Sequence, residues 1–174
     1  MGSSAVVNSR FKSWPTKKKL FQLSYLKNIN NKNIKTIKLK KEKPLNKIFS
    51  LPQLINEIYN YLKNSKKKIL IIEGASWIFY SFIIISSFKI LFPKLKIIYI
   101  SHSIESEIRK KFSNILIYLL TKFLEKLVFK KCDVVTSVSK IEQYKIKKIY
   151  KQKTTLFPNG IDLNFIVKTK KKKK

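Results

Sequence analysis

Residues able to do chemistry are scarce in this chain, and several of them fall together. The 174 residues include one His, two Arg and nine acids, yet His102, Glu105, Glu107 and Arg109 occupy eight consecutive positions. An imidazole can hydrogen-bond or exchange a proton near neutral pH. His102 follows the apolar run Lys96 to Ile100, and a sole His at the trailing end of a strand is well placed to meet a ligand. His102 is therefore the candidate catalytic residue. Glu105 and Glu107 read as carboxylates in the first turn of a helix capped by Ser103, where they complement the helix dipole. Glu105 and Arg109 are also candidates for substrate contact.

Several other chemistries are excluded by composition. The three glycines are Gly2, Gly74 and Gly160, so neither a G-x-G-x-x-G fingerprint nor a phosphate-cradling P-loop is present. No acid cluster suits a hard metal, and neither a metal nor a cofactor is expected. Ser139 has no second His to activate it as a nucleophile and reads as a helix N-cap. Cys132 is alone, which excludes an internal disulfide or a Cys-built metal site and fits a reducing, cytoplasmic setting.

The elements that position these residues follow from periodicity. Ile69 to Phe88 holds one charge, Glu73, in twenty residues, enough to cross a bilayer on paper. Glu73, Gly74, Ser81, Ser86 and Ser87 favour a split into a buried strand Ile69 to Ile72, a polar Glu73-Gly74 turn and a helix from about Ser76 to Phe92. Strands are predicted at Lys96 to Ile100, Asp133 to Val138 and Thr154 to Phe157. Between the first two of these runs a helical stripe comprises Phe112, Ile115, Leu116, Leu119, Leu120, Phe123 and Leu127, with Asn114, Thr121, Lys122 and Glu125 opposite. Ser139 to Glu142 is a capping box opening a helix to about Tyr150, with Ile141, Tyr144 and Ile149 as its apolar positions. Earlier, Ser50 to Gln53 reads as another capping box, for a helix ending near Asn64, and Ile34 to Lys40 reads as a strand. A first helix is expected somewhere between Ser4 and Lys27. Alternating strands and helices predict an α/β domain with a doubly wound parallel sheet. Its strand ends would gather Glu73-Gly74, Ser101 to Ser103, Ser137 to Ser139 and Asn159 to Asp162 on one edge.

The net charge of +30 comes from 37 Lys and only two Arg. Together, Ile, Lys and Asn supply 75 of the 174 residues, the signature of A/T-rich codons. A protein that reads bases would use the Arg fork, so nucleic acid is disfavoured as a partner. Alternatives of other classes are a Lys-rich module for RNA or anionic membrane, and a small protein spanning a membrane once at Ile69 to Phe88.

The run Cys132-Asp-Val-Val-Thr-Ser-Val-Ser139, then a helix with a Tyr near its end, then Thr155-Leu-Phe-Pro-Asn-Gly-Ile-Asp162, resembles the N-terminal domain of family 4 glycosyltransferases of the GT-B fold. Ile98-Tyr-Ile-Ser-His-Ser-Ile-Glu105 is similar to that family's strand ending in a His. The resemblance implies a Rossmann-like domain over residues 1–162, lacking its first strand, and a Lys-rich tail over 163–174, the chain being truncated at both ends relative to the family. It implies that His102 lies by the transferred sugar, that Gly2, Ser3 and Ser4 form the small-residue loop near donor and acceptor, and that Asn159, Gly160 and Asp162 lead toward a second domain. Glu73, Gly74 and Ser139 join these as candidate substrate-binding residues at the strand ends. The implied partners are a nucleotide-sugar held mostly by the second domain, a glycan or lipid-linked acceptor, a donor-domain protein, and the inner face of the membrane. The polypeptide alone is expected to be inactive or nearly so, because the family's donor-binding residues have no counterpart in it.

Overall fold

The computed structural model of the chain describes residues 11, 18–24, 33–39, 44–65, 68–74 and 77–158. Strands β1 (Leu20–Ser24) and β2 (Ile34–Lys38) pair in parallel, with Leu20 opposite Ile34 and Leu23 opposite Ile37. Phe21 and Leu23, two residues apart and so on one face, pack against the core. Gln22 donates to the Thr36 hydroxyl at 3.0 Å. The span expected to hold a first helix contains β1 in its second half and a helical Phe11 in its first, and its residues 4–10, 12–17 and 25–27 lie outside the described set.

Helix α1 (Pro44–Lys63) buries Leu51, Leu54, Ile58 and Leu62 along one stripe. It starts six residues before the expected capping box. Ser50 lies inside it and donates to the Asn46 carbonyl at 2.8 Å, the back-bonding by which a mid-helix Ser satisfies itself. Pro52 is carried in the interior. The cap signature misled because Ser and Pro can be absorbed by a helix whose apolar stripe is strong enough.

The main sheet consists of β3 (Ile69–Gly74), β4 (Lys96–Ser101), β5 (Val134–Ser137) and β6 (Thr155–Leu156), in that order and all parallel. Its crossovers are α2 (Ile78–Leu91), then α3 (Glu105–Phe112) with α4 (Ile115–Lys131), then α5 (Lys140–Tyr150). The Ile69 to Phe88 stretch is split between β3 and α2. No helix among the described residues is long and apolar enough to cross a membrane. Phe88, Phe129, Ile85, Ile97, Val135 and Ile146 are almost fully buried where helices meet the sheet.

Two helices turn differently from the expected stripes. On α4, Thr121, Leu124, Glu125, Val128 and Phe129 are buried, whereas Ile115, Leu116, Leu119, Leu120 and Phe123 are exposed. On α5, Ile146 and Tyr150 are buried, while Ile141 and Tyr144 face out. Each helix carries apolar residues on both sides, so periodicity finds the helix but not its inward face. Ser113 and Asn114 separate α3 from α4, and Asn114 caps α4 by accepting from the Ile117 N–H at 2.9 Å.

Asp133, just before β5, ties this sheet to α2. Its Oδ2 accepts from Lys89 Nζ and from the Ile97 N–H, both at 2.8 Å. Hydrogen bonding from Lys89, and then from Ile97, holds its carboxyl below the usual aspartate range. A lowered folded-state pKa means stabilisation that is present above the ordinary aspartate pKa and lost as pH falls through the lowered value. Asp133→Asn is expected to lower the melting temperature at neutral pH and to flatten the acid side of the stability profile. Thermal unfolding between about pH 2 and pH 7 measures both.

Candidate functional site

Parallel register aligns the trailing ends of the strands: Gly74 lies opposite Ser101, Ser101 opposite Ser137, and Ser137 opposite Leu156. His102 is the residue immediately after β4, and Glu73 is the second-last residue of β3. Their side chains meet, with His102 Nε2 at 2.5 Å from Glu73 Oε2. Both are largely shielded, at 14% and 18% side-chain exposure. An ionised carboxylate can only accept, so Nε2 carries the proton and Nδ1 is the nitrogen on the ring's other edge. In the neutral ring Nδ1 accepts a hydrogen bond; in the protonated ring it donates.

A third group belongs to this neighbourhood. Glu142, in the first turn of α5, is half-buried, and its Oε2 is buried with no hydrogen-bond partner among the described residues. Burial pushes its carboxyl up, an effect opposed by the Val138 N–H and by the charge of nearby His102. In the sequence Glu142 reads only as the last residue of a capping box. The box exists: Ser139 Oγ accepts from the Glu142 N–H at 3.1 Å. Ser139 is therefore an N-cap as read, seated at the strand-end edge.

The remaining candidates have structural partners. Glu105 Oε2 accepts from the Ile78 N–H at 2.6 Å and so caps α2, whose N-cap residue Trp77 makes no side-chain cap bond. Arg109 grips the other oxygen of Glu105 through Nε at 3.1 Å and Nη2 at 2.9 Å. Glu107 pairs with Lys145 at 2.6 Å. Gly74 leaves room for a neighbour, since a Cβ there would stand 2.3 Å from the Tyr99 hydroxyl and 3.0 Å from the Ile100 carbonyl. Gly2, Ser3, Ser4, Asn159, Gly160 and Asp162 lie outside the described residues.

Ser103 does not cap α3. Ile104 holds the cap position without a side-chain bond, and the donors of the first turn go to Glu125 on α4. Its Oε1 accepts from the Glu105 N–H at 2.6 Å, and its Oε2 from the Ser106 N–H at 3.2 Å and from the Tyr150 hydroxyl. Glu125 is 1% exposed, and burial pushes its carboxyl up against the pull of these donors. The same burial, with Glu125 beside it, raises the Tyr150 hydroxyl. By pattern alone Glu125 falls on a polar face, and its one distinguishing mark is to be the sole acid of a Lys-rich helix.

A carboxyl raised in the folded state contributes stability that is present below the ordinary glutamate pKa and lost as pH rises through the raised value. Relative to Glu125→Gln, the wild-type protein is therefore expected to lose stability as pH is raised from about 4 toward neutrality. Glu125→Ala, which leaves two N–H groups without their acceptor and the Tyr150 hydroxyl with only the Ser106 hydroxyl at 2.7 Å, should cost about 2–4 kcal/mol. Urea unfolding of the three proteins across pH reads both effects. No protein-family model matches the chain, and no curated protein matches it either.

Proposed function

We propose that this chain forms the acceptor side of a GT-B type glycosyltransferase, in which a sugar passes from a nucleotide-sugar to a glycan or lipid-linked acceptor. The observation that carries the reading is the His102–Glu73 pair, shielded and set at the aligned carboxyl ends of a parallel sheet. Ligands bind at that edge in open α/β sheets. The motif pair Asp133 to Ser139 and Pro158 to Asp162 agrees with it in sequence.

In this reading His102 offers Nδ1 to a hydroxyl of the sugar being transferred, and Glu73 fixes the ring so that the contact is pre-oriented. Glu142 places a second carboxyl, pushed up by burial, near the same ring. The diphosphate of the donor is held by a second domain, in the same polypeptide or in a partner, so sugar transfer needs both parts. The protein works on the cytoplasmic side, at the inner face of the membrane where the acceptor is lipid-linked. Glu105 and Arg109 serve by holding α2 and α3 in place.

Saturation-transfer NMR with oligosaccharides and with short-chain polyprenyl-diphosphate sugars tests the reading. Binding by wild type that weakens at least about tenfold in His102→Ala, with the fold retained, is the expected result. Absence of binding, or equal binding by both proteins that is abolished by salt alone, would favour a purely Lys-driven surface and contradict it.

A further inference from the structure

The outer face of α4 carries more bare hydrocarbon than a helix covering a sheet normally leaves. Ile115, Leu116, Leu119, Leu120 and Phe123 lie between 47% and 73% exposed. Their spacing puts them on one stripe opposite the buried Leu124, Val128 and Phe129. Phe112, three residues before α4, is 82% exposed.

Among the described residues, the charges around the stripe are all of one sign. Lys122, Lys126, Lys130 and Lys131 are exposed on α4, and Lys110 and Lys111 precede it. The only acid on α4, Glu125, is buried on the opposite side. On α3, Glu107 is paired to Lys145 and Glu105 to Arg109. The stripe is thus a strip of large aliphatic and aromatic side chains edged by ammonium groups that pair with no acid among the described residues.

We infer that this face is a membrane-docking surface, and that α4 lies in the plane of an anionic lipid bilayer with its apolar stripe among the acyl chains and its lysines among the headgroup phosphates. An apolar face bordered by Lys is what an interfacial helix requires. Lys can bury its methylenes beside the stripe while its ammonium stays at headgroup level. With seventeen residues and four Lys, α4 lies along a bilayer rather than through it. A second copy of the chain is a poor occupant, because it would bring the same basic rim, within a net charge of +30, against this one. An anionic bilayer supplies both missing complements, hydrocarbon and negative charge. The inference rests on α4 alone and does not need the sugar-transfer reading.

Vesicle flotation of the full chain tests it without any sugar present. The probes are pure phosphatidylcholine vesicles and vesicles containing about a third phosphatidylglycerol. Wild type is expected to float with the anionic vesicles, and with the neutral ones far less. The triple variant Leu116→Ser, Leu119→Ser, Phe123→Ser should lose at least about tenfold in apparent partitioning, since three inserted apolar side chains are removed. The triple variant Lys122→Gln, Lys126→Gln, Lys130→Gln should lose about tenfold on the anionic vesicles. Circular dichroism confirms that both variants fold, as the exposure of all six positions leads one to expect. Failure of wild type to float, or flotation of the Ser variant like wild type, would overturn the inference. So would a wild-type dimer that the Ser variant converts to monomer without change in lipid binding.

Discussion

A single buried carboxylate sets the geometry on which the rest depends. Glu125 reaches from α4 to the first two N–H groups of α3 and to the Tyr150 hydroxyl at the end of α5, and so fastens three helices at one point. Burying an unpaired carboxylate would be prohibitive. Here the charge falls on a helix N-terminus, where donors and dipole both favour it. The arrangement repeats one step further along, because Glu105, in the helix that Glu125 caps, caps α2 in turn. Two carboxylates, each lent by one helix to the start of another, thereby fix the segment between β4 and α3. His102 sits in that segment, held from one side by the sheet and from the other by this capping relay.

The consequence for the site is positional. Pairing of β3 with β4 brings Glu73 alongside, and the short loop to a pinned α3 leaves His102 little choice of direction. Arg109 contributes at one remove, by keeping Glu105 on the Ile78 N–H. The carboxylates near the ring have separate tasks: Glu73 orients it, Glu142 lies close by with a buried oxygen, and Glu105 and Glu125 build the frame. An arrangement of this kind suits a group that must present one nitrogen to a ligand in a fixed direction.

Much of this was legible in the sequence, and the reasons for the gaps are physical. Apolar runs rich in Ile and Val, spaced by helical patterns, placed β3 to β6, and parallel topology then gathered Glu73, His102 and Ser139 on one edge. Glu73 was named as a strand-end residue, but its contact with His102 depends on register, which local pattern does not contain. The inward face of α4 was misread because Leu124, Val128 and Phe129 form an apolar stripe that competes with the longer outer one, and what decides between them is the burial of Glu125 with its three donors. Ser50 failed as a cap because a mid-helix Ser can bond backward. Ser103 failed because the first-turn donors of α3 were claimed from another helix, and tertiary caps leave no local signature. The outward turn of the longer stripe is what leaves its side chains exposed on α4.

The central claim is that the imidazole of His102 is held through Nε2 by the Glu73 carboxylate. Because the chain has one His, a long-range proton–nitrogen correlation spectrum of the imidazole reads this contact without ambiguity. A protonated Nε2 with an exchange-protected, downfield N–H resonance that disappears in Glu73→Ala is the predicted result. An Nε2 proton that exchanges freely with water, in a ring whose spectrum is the same in both proteins, would contradict the account.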